Sequence, residues 1–271
     1  MRGVAERREA FRALHGAGCF LLPNPWDVGT ARFLAAQGFS ALATTSSGAA
    51  HARGVADGAI DLDATVAHVA EMVGATDLPV NADFGHGFGD DAEGVAAACA
   101  RCFATGVAAL SVEDATGDAA RPLFPLEEAL ARLRAARRAA DAAPGRPLLV
   151  GRAECFLVGH ADPLAESLRR IVAYAEAGAD VLYVPGIATP DQIGAVVRAV
   201  APKPVNLLVA RPIGLTMADI AALGVRRVSL GGALSGIAWG AVMRAVAELR
   251  EGRFDVLGTR APFAAVDGLF R

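Results

Sequence analysis

Lysine is nearly missing from this 271-residue sequence: Lys203 is the only one, and the rest of its 26 basic side chains are arginines. A Schiff base needs an amine that can lose its proton, so a single residue is available for that chemistry. Cysteine is scarce as well. Cys19, Cys99, Cys102 and Cys155 make no paired C-x-x-C motifs, and the one close pair lies in a run of helical spacing, which argues against zinc and disulfides. The net charge is −3, and no Lys/Arg cluster carries interleaved aromatics, so a nucleic-acid partner is excluded. No apolar run reaches the roughly 20 residues of a membrane span. The longest, Val228 to Met243, is rich in Gly, Ala and Ser and is bounded by Arg227 and Arg244. The charged start of the chain, from Met1 to Glu9, lacks the apolar core of a secretory signal, and the expectation is a cytoplasmic protein.

What is present is 54% hydrophobic residues with 20% charged, spread without blocks, the composition of a compact fold. Eight short apolar runs stand out: Cys19 to Asn24, Ala41 to Ser46, Leu78 to Asp83, Ala109 to Asp114, Pro147 to Glu154, Val181 to Gly186, Pro204 to Val209 and Arg226 to Gly232. Helical, Ala/Leu/Arg/Glu-rich segments separate them, the pattern of a parallel sheet with crossover helices. Four junctions nearly repeat: AAQGFSALATTS, FATGVAALSVED, AEAGADVLYVPG and AALGVRRVSLGG. Each ends a helix at Gly38, Gly106, Gly178 or Gly224 and starts a strand about two residues later. The fold expected is an α/β, (β/α)8 TIM barrel in one domain, 1–271, although an open doubly wound sheet shares such short loops. The tail, 237–271, carries Phe254, Leu257, Phe263, Val266, Leu269 and Phe270, apolar residues that need something to pack against, and a partner subunit is one answer.

In a parallel barrel the chemistry sits at the carboxyl ends of the strands. Those ends supply Asn24, Thr44 to Gly48, Asp83, Glu113 with Asp114, Arg152 with Glu154, Asn206 and Ser229. Asp83, Glu113 and Asp57 are hard oxygen ligands suited to Mg²⁺ (or Mn²⁺) if their strands are neighbours; taken singly, each is as readily a helix cap or an ion-pair partner. Ser46, Ser47, Gly48 and Ala49 form a small polar loop whose N–H groups suit a carboxylate or phosphate, or an ordinary turn. Arg152 suits a substrate carboxylate, bound bidentately, or a salt bridge to Glu154 or Glu113. His86, in the glycine-rich stretch Asp83 to Asp90, is a flexible acid or base near its free pKa, or a solvated loop imidazole. That stretch lacks the spacing of a P-loop or Rossmann fingerprint. Lys203 stands at the amino end of the seventh run, on the stability face, which argues against a class I aldolase.

These residues resemble the isocitrate lyase/phosphoenolpyruvate mutase superfamily over nearly the whole chain. The resemblance runs through PNPWDVGTARFLAAQGFSALATTSSGAA, GVADG, LPVNADFGHGFGD, GVAALSVED, GRAECFLVG, AYAEAGADVLYVPG, KPVNLL and LGVRRVSLGG, in that order. It implies Mg²⁺ held by Asp83, with Asp57 and Glu113 reaching it directly or through water. It also implies a substrate carboxylate on Ser47, Gly48, Ala49 and Arg152, with Asn206 at the substrate's far end. Finally it implies a homotetramer, a dimer of dimers, with the C-terminal helix swapped between subunits. Three departures matter. Asn81 stands where the family has a second metal-shell aspartate, and Glu154 replaces an Asp. The gating loop ATGDAARPLFPLEEA lacks both the lyase cysteine and the mutase Lys and Asn.

Reactions of this superfamily pass through an enolate, and the loop decides the fate of the leaving fragment. With neither loop present, the expectation is a magnesium-dependent lyase that cleaves or decarboxylates a small 2-oxo or 2-hydroxy acid such as oxaloacetate or a methylisocitrate-like substrate. Phosphono-transfer on a phosphoenolpyruvate-like substrate is one alternative. A non-catalytic barrel binding a small carboxylic acid is the other.

Overall fold

The computed structural model describes residues 3–270; Met1, Arg2 and Arg271, the ends of the expected unit, lie outside the described residues. Eight parallel strands alternate with helices: α1 (Val4–Leu14), β1 (Phe20–Leu22), α2 (Val28–Ala36), β2 (Leu42–Ala43), α3 (Ser46–Ala52), α4 (Leu62–Gly74), β3 (Val80–Asp83), α5 (Ala92–Ala104), β4 (Ala109–Glu113), α6 (Leu126–Ala142), β5 (Leu148–Arg152), α7 (Pro163–Glu176), β6 (Val181–Tyr183), α8 (Pro190–Val200), β7 (Val205–Leu208), α9 (Met217–Ala222), β8 (Arg227–Ser229), α10 (Ala233–Arg250), a 3-10 turn (Asp255–Thr259) and α11 (Phe263–Gly268). The sheet order is β1-β8-β7-β6-β5-β4-β3-β2. The remaining seam, β1 to β2, is bridged by Ala43 N–H donating to Pro23 O at 3.0 Å and by Asn24 Nδ2 donating to Thr44 O at 2.9 Å. The result is a nearly closed (β/α)8 barrel.

The four repeated glycines each take a left-handed φ, +83° at Gly38, +91° at Gly106, +106° at Gly178 and +90° at Gly224, where a Cβ is disfavoured. Helix starts are capped by side chains that the sequence supplies at the right spacing, such as Asp91 accepting from Gly94 N at 2.8 Å and Thr189 ahead of Pro190. Two shells of apolar packing result. Ile171, Leu182, Val196, Met72 and Phe103 fill the space between strands and helices, and Phe11, Leu22, Leu148, Val150 and Tyr183 fill the barrel itself.

Helix α1 closes the amino end. Arg8, 1% exposed, donates through Nε to Val107 O at 2.9 Å and through Nη2 to Phe103 O at 2.7 Å. Lys203 donates to Ala175 O and Ala179 O at the end of α7, a structural role at the same face. At the opposite end, α3 replaces the polar loop expected over Ser46 to Ala49: Thr45 caps it, its Oγ1 accepting from Gly48 N at 3.3 Å, so the chain coils directly after β2. Among the described residues no helix is long and apolar enough to cross a membrane. Helix α10 buries only Ser235, leaving Ile237, Val242 and Met243 exposed, followed by exposed Phe254 and Phe263.

Candidate active site

A cavity of about 380 Å³ opens at the carboxyl ends of the strands, lined by Asp83, Glu113, Arg152 and Glu154 on its floor and by Asp57, His68 and His86 among its walls. Side chains alternate along a strand, so Asp83, Glu113 and Arg152 all point inward while Asp114 points out. Asp114 accepts from Tyr174 Oη at 2.6 Å and Arg170 Nη1 at 2.9 Å. Registry brings the three inward groups together: Glu113 pairs with Arg152 across β4 and β5, and β3 lies on the far side of β4.

Arg152 is the hub. Its Nη1 lies 2.8 Å from Asp83 Oδ1 and 3.1 Å from Glu113 Oε2, and its Nε lies 2.8 Å from Glu154 Oε1. Its guanidinium stacks 4.9 Å above the Tyr183 ring centroid. Burial alone would lower the Arg152 pKa, but Glu113, Glu154 and Asp83 outweigh it and hold the guanidinium charged. Nη1 and Nε are thus occupied, so the two-pronged grip on a substrate expected of Arg152 is not available as the group stands; Nη2 carries none of these pairs. Both salt bridges that the sequence allowed are formed.

Asp83 is positioned from three sides. Its backbone N–H donates to Thr44 Oγ1 at 2.8 Å, and its Oδ2 accepts from Ser46 N at 3.0 Å. Glu113 is pinned through its backbone N–H to Gly85 O at 3.0 Å. Burial raises the pKa of Glu113 and of Glu154, against the pull of Arg152. Three carboxylates share one guanidinium here, and a second positive charge would relieve them.

That charge balance is the test of fit for a divalent cation. Asp83 and Glu113 offer hard oxygens to the cavity and suit Mg²⁺, with the remaining positions left to water. Asp57 lines the same cavity from an exposed loop, but among the described residues no three His, Cys, Asp or Glu side chains gather at metal-binding spacing. Direct convergence of Asp57 with Asp83 and Glu113 is therefore not what the structure displays.

Of the four residues in the S-S-G-A stretch, Ser46 and Ala49 line the cavity. Ser47 and Gly48 do not: Ser47 Oγ shares a hydrogen bond with Thr45 Oγ1 at 3.1 Å, and a Cβ on Gly48 would meet Thr45 Cγ2 at 2.7 Å and Trp26 Cβ at 2.8 Å. Asn206 lies deeper. Fully buried, it accepts from Arg227 Nε at 2.8 Å and donates to Ser229 Oγ at 2.9 Å, inside the barrel and away from the cavity lining. Tight packing consumes the amide that the family resemblance implied for substrate.

His86 is fixed and partly buried, not flexible: its Nδ1 lies 3.2 Å from Arg132 Nη2, and burial, then Arg132, lowers its pKa. His68, on α4, was not legible as a site residue. It sits at helical spacing among Val69, Met72 and Val73, a pattern that reads as core, yet its ring lines the cavity wall.

The profile of the phosphoenolpyruvate phosphomutase family matches residues 11–250. A crystal structure of a Burkholderia cenocepacia J2315 protein, described provisionally as a lyase/mutase, is 46% identical with a TM-score of 0.95, covering 98% of this chain and 97% of that one. The structure of 2,3-dimethylmalate lyase, a member of the phosphoenolpyruvate mutase/isocitrate lyase superfamily, is 25% identical with a TM-score of 0.85, covering 99% of this chain and 95% of that one. The oxaloacetate decarboxylase of Rhodopseudomonas palustris (strain BisB5) is 35% identical over 188 residues, 67% of this chain and 62% of the relative.

Proposed function

The chain belongs to the phosphoenolpyruvate phosphomutase family, whose relatives are lyases and mutases, and we propose that it is a magnesium-dependent carbon–carbon lyase that decarboxylates oxaloacetate or a closely similar 2-oxo dicarboxylic acid. The observation that carries this reading is the convergence of Asp83, Glu113 and Glu154 on the single guanidinium of Arg152, in a cavity sized for a small acid. The identity to an oxaloacetate decarboxylase supports the choice of substrate.

Asp83 and Glu113 would hold the cation, with Asp57 reaching it through water, and the bound cation would supply an electron sink beside the 2-oxo group. Arg152 presents Nη2 to the carboxylate adjoining the ketone, while Asp83 and Glu113 keep its other edge from turning away. Ser46 fixes the Asp83 carboxylate through its backbone N–H, so its part is to orient. Ala49 and Ser46 supply wall, and Ser47, Gly48 and Asn206 act behind it. In the reaction the C3–C4 bond breaks, carbon dioxide leaves, and the electron pair moves onto the C2 oxygen. A proton from water then adds at C3 to give pyruvate. No acid has to be delivered to the leaving fragment, which matches a gating loop with neither the lyase cysteine nor the mutase lysine.

The same reading includes a homotetramer in which α10 and the tail pack on other copies of the chain, since Ile237, Met243, Phe254 and Phe263 are each more than half exposed. Supplying the purified protein with Mg²⁺ and oxaloacetate, methylisocitrate or phosphonopyruvate in turn tests the chemistry. Pyruvate from oxaloacetate is the expected product. Turnover of phosphonopyruvate alone would reassign the protein to phosphono-transfer, and binding of oxaloacetate without turnover would make it a non-catalytic acid-binding barrel.

A further inference from the structure

We propose that Arg132 sets the tautomer of His86, so that His86 presents a fixed Nε2–H to the cavity as a hydrogen-bond donor to an oxygen of the bound acid. Arg132 is a positioning residue on α6 and is not among the residues lining the cavity.

A guanidinium has five donors and no acceptor. Arg132 Nη2 stands 3.2 Å from His86 Nδ1, and because a guanidinium cannot accept, a bond between them takes the Nδ1 lone pair and leaves the neutral ring's proton on Nε2. The two hydrogens of Nη2 serve three acceptors, His86 O at 3.0 Å, Gly89 O at 2.8 Å and Nδ1, so one of them is shared as a three-centre bond, while Nη1 reaches Asp90 O at 3.5 Å. One buried cation therefore holds three loop carbonyls and the imidazole together. Arg132 is 3% exposed and, among the described residues, has no carboxylate within ion-pair distance. Its Cζ lies 4.2 Å from the Phe124 ring centroid, and the His86 ring centroid lies 6.2 Å from that of Phe124 and 5.9 Å from that of Phe88.

The loop has little freedom to give. Phe88 holds a left-handed φ of +60°, and a Cβ on Gly89 would collide with the backbone of Gly94 and Val95. The imidazole is thus fixed by packing, backbone and its contact with Arg132. Nε2 is its remaining polar atom, and His86 lines the cavity whose floor holds Asp83, Glu113, Arg152 and Glu154. A second proton on His86 would face Arg132 at hydrogen-bond distance, a like-charge contact, so the ring serves as a neutral donor and transfers no proton. Neutral imidazole is an established electrophile toward developing oxyanions. Such a donor, aimed where negative charge grows, is worth on the order of 10²-fold in rate.

This rests on the lyase reading for the identity of the oxygen, but not for the tautomer, and the experiment separates the two. Nitrogen-15 NMR of the histidine-labelled protein near neutral pH, with His86 assigned by its loss in His86→Gln, reads the ring without any substrate. The expected signal is the neutral Nε2–H tautomer, perturbed when oxalate and Mg²⁺ are added as probe. Arg132→Met should convert His86 to a mixture of tautomers, and Arg132→Lys, which keeps a donor, should restore Nε2–H. Because Arg132→Met removes the loop's anchor, His86→Phe serves as the second variant: it leaves Arg132 on its carbonyls and should weaken oxalate binding at least 10-fold, with His86→Gln recovering much of it. An imidazolium, an Nδ1–H tautomer in the unaltered protein, or unchanged oxalate affinity in His86→Phe would each overturn the proposal. Absence of oxaloacetate turnover would instead count against the lyase reading, leaving the tautomer result standing.

Discussion

Arg227 Nη1 donates to Asn81 Oδ1 at 3.1 Å in the interior of the barrel, and its Nε donates to Asn206 Oδ1 at 2.8 Å. The guanidinium is 2% exposed and, among the described residues, meets no carboxylate within ion-pair distance. Burial pulls its pKa down to about 9. Two departures from the expected site have one cause here. Asn81, in the place of a second metal-shell aspartate, faces a cation across the barrel, and Asn206 is bound to the same cation.

Replacing Asn81 by Leu removes one of these acceptors and leaves a buried charged donor without a partner. The expected cost is about 3 kcal/mol, a fall in Tm of roughly 6–12 °C for a chain of this size. Scanning calorimetry of Asn81→Leu beside Asn81→Asp checks it, with the aspartate the milder of the two. Equal melting of Asn81→Leu and the unaltered protein would show that Arg227 does not need Asn81.

His15 gives a stability prediction with a sign. Its ring lies under the barrel between Phe11 and Phe20, with Nδ1 2.8 Å from Phe11 O, and burial, then Arg227, lowers its pKa to about 3. The unfolded chain takes up this proton near pH 6.5 while the folded chain does not. Its contribution is therefore fully present above pH 6.5 and is lost as pH falls from there toward 3, with a slope of up to about 1.4 kcal/mol per pH unit. Urea unfolding at pH 7 and pH 5 should show the unaltered protein losing about 2 kcal/mol more than His15→Phe. Parallel losses in the two proteins would mean that His15 is not the group responsible.

The barrel was legible because its signals are local. Eight apolar runs and the glycines at 38, 106, 178 and 224 each report a strand or a helix end without reference to distant residues. Asp83, Glu113 and Arg152 were legible for the same reason, since a polar residue ending an apolar strand points to the mouth of the barrel. What the sequence did not disclose depends on contacts between elements. Arg132 is one of several arginines on α6, and nothing in that run marks it as the partner of His86. His68 has the spacing of a core residue. The stretch from Ser46 to Ala49 reads as a loop because serine and glycine favour turns, whereas the Thr45 cap and the packing of Gly48 on Trp26 make it a helix. Asn206 reads as a strand-end residue in the run Pro204 to Val209, whereas it is the second residue of β7, level with Arg227 on β8, which takes its amide oxygen deep in the barrel.

Arg152→Lys keeps the charge and loses the planar fork that spans Asp83, Glu113 and Glu154. For turnover of oxaloacetate we expect kcat/KM to fall by on the order of 10²-fold, about 2.7 kcal/mol. Thermal melting measured on the same samples separates a site role from a structural one. Normal kinetics per folded molecule with a lowered Tm would confine Arg152 to holding its three carboxylates.

The exposed apolar tail predicts assembly. Deleting residues 254–270 removes Phe254, Phe263 and Phe270, and sedimentation velocity should show the full chain as a tetramer and the shortened one as a smaller species. A full-length monomer at micromolar concentration would contradict the packing assigned to α10 and the tail.

The most direct measurement follows pyruvate release from oxaloacetate, above the protein-free rate, for the unaltered protein with Mg²⁺, the same protein with chelator, and Asp83→Ala with Mg²⁺, alongside calorimetric titration of Mg²⁺ into both proteins. Metal-dependent lyase chemistry requires turnover in the first sample alone and Mg²⁺ binding that disappears with the Asp83 carboxylate. Pyruvate release that persists with chelator, or in an Asp83→Ala protein that still binds Mg²⁺, would contradict it.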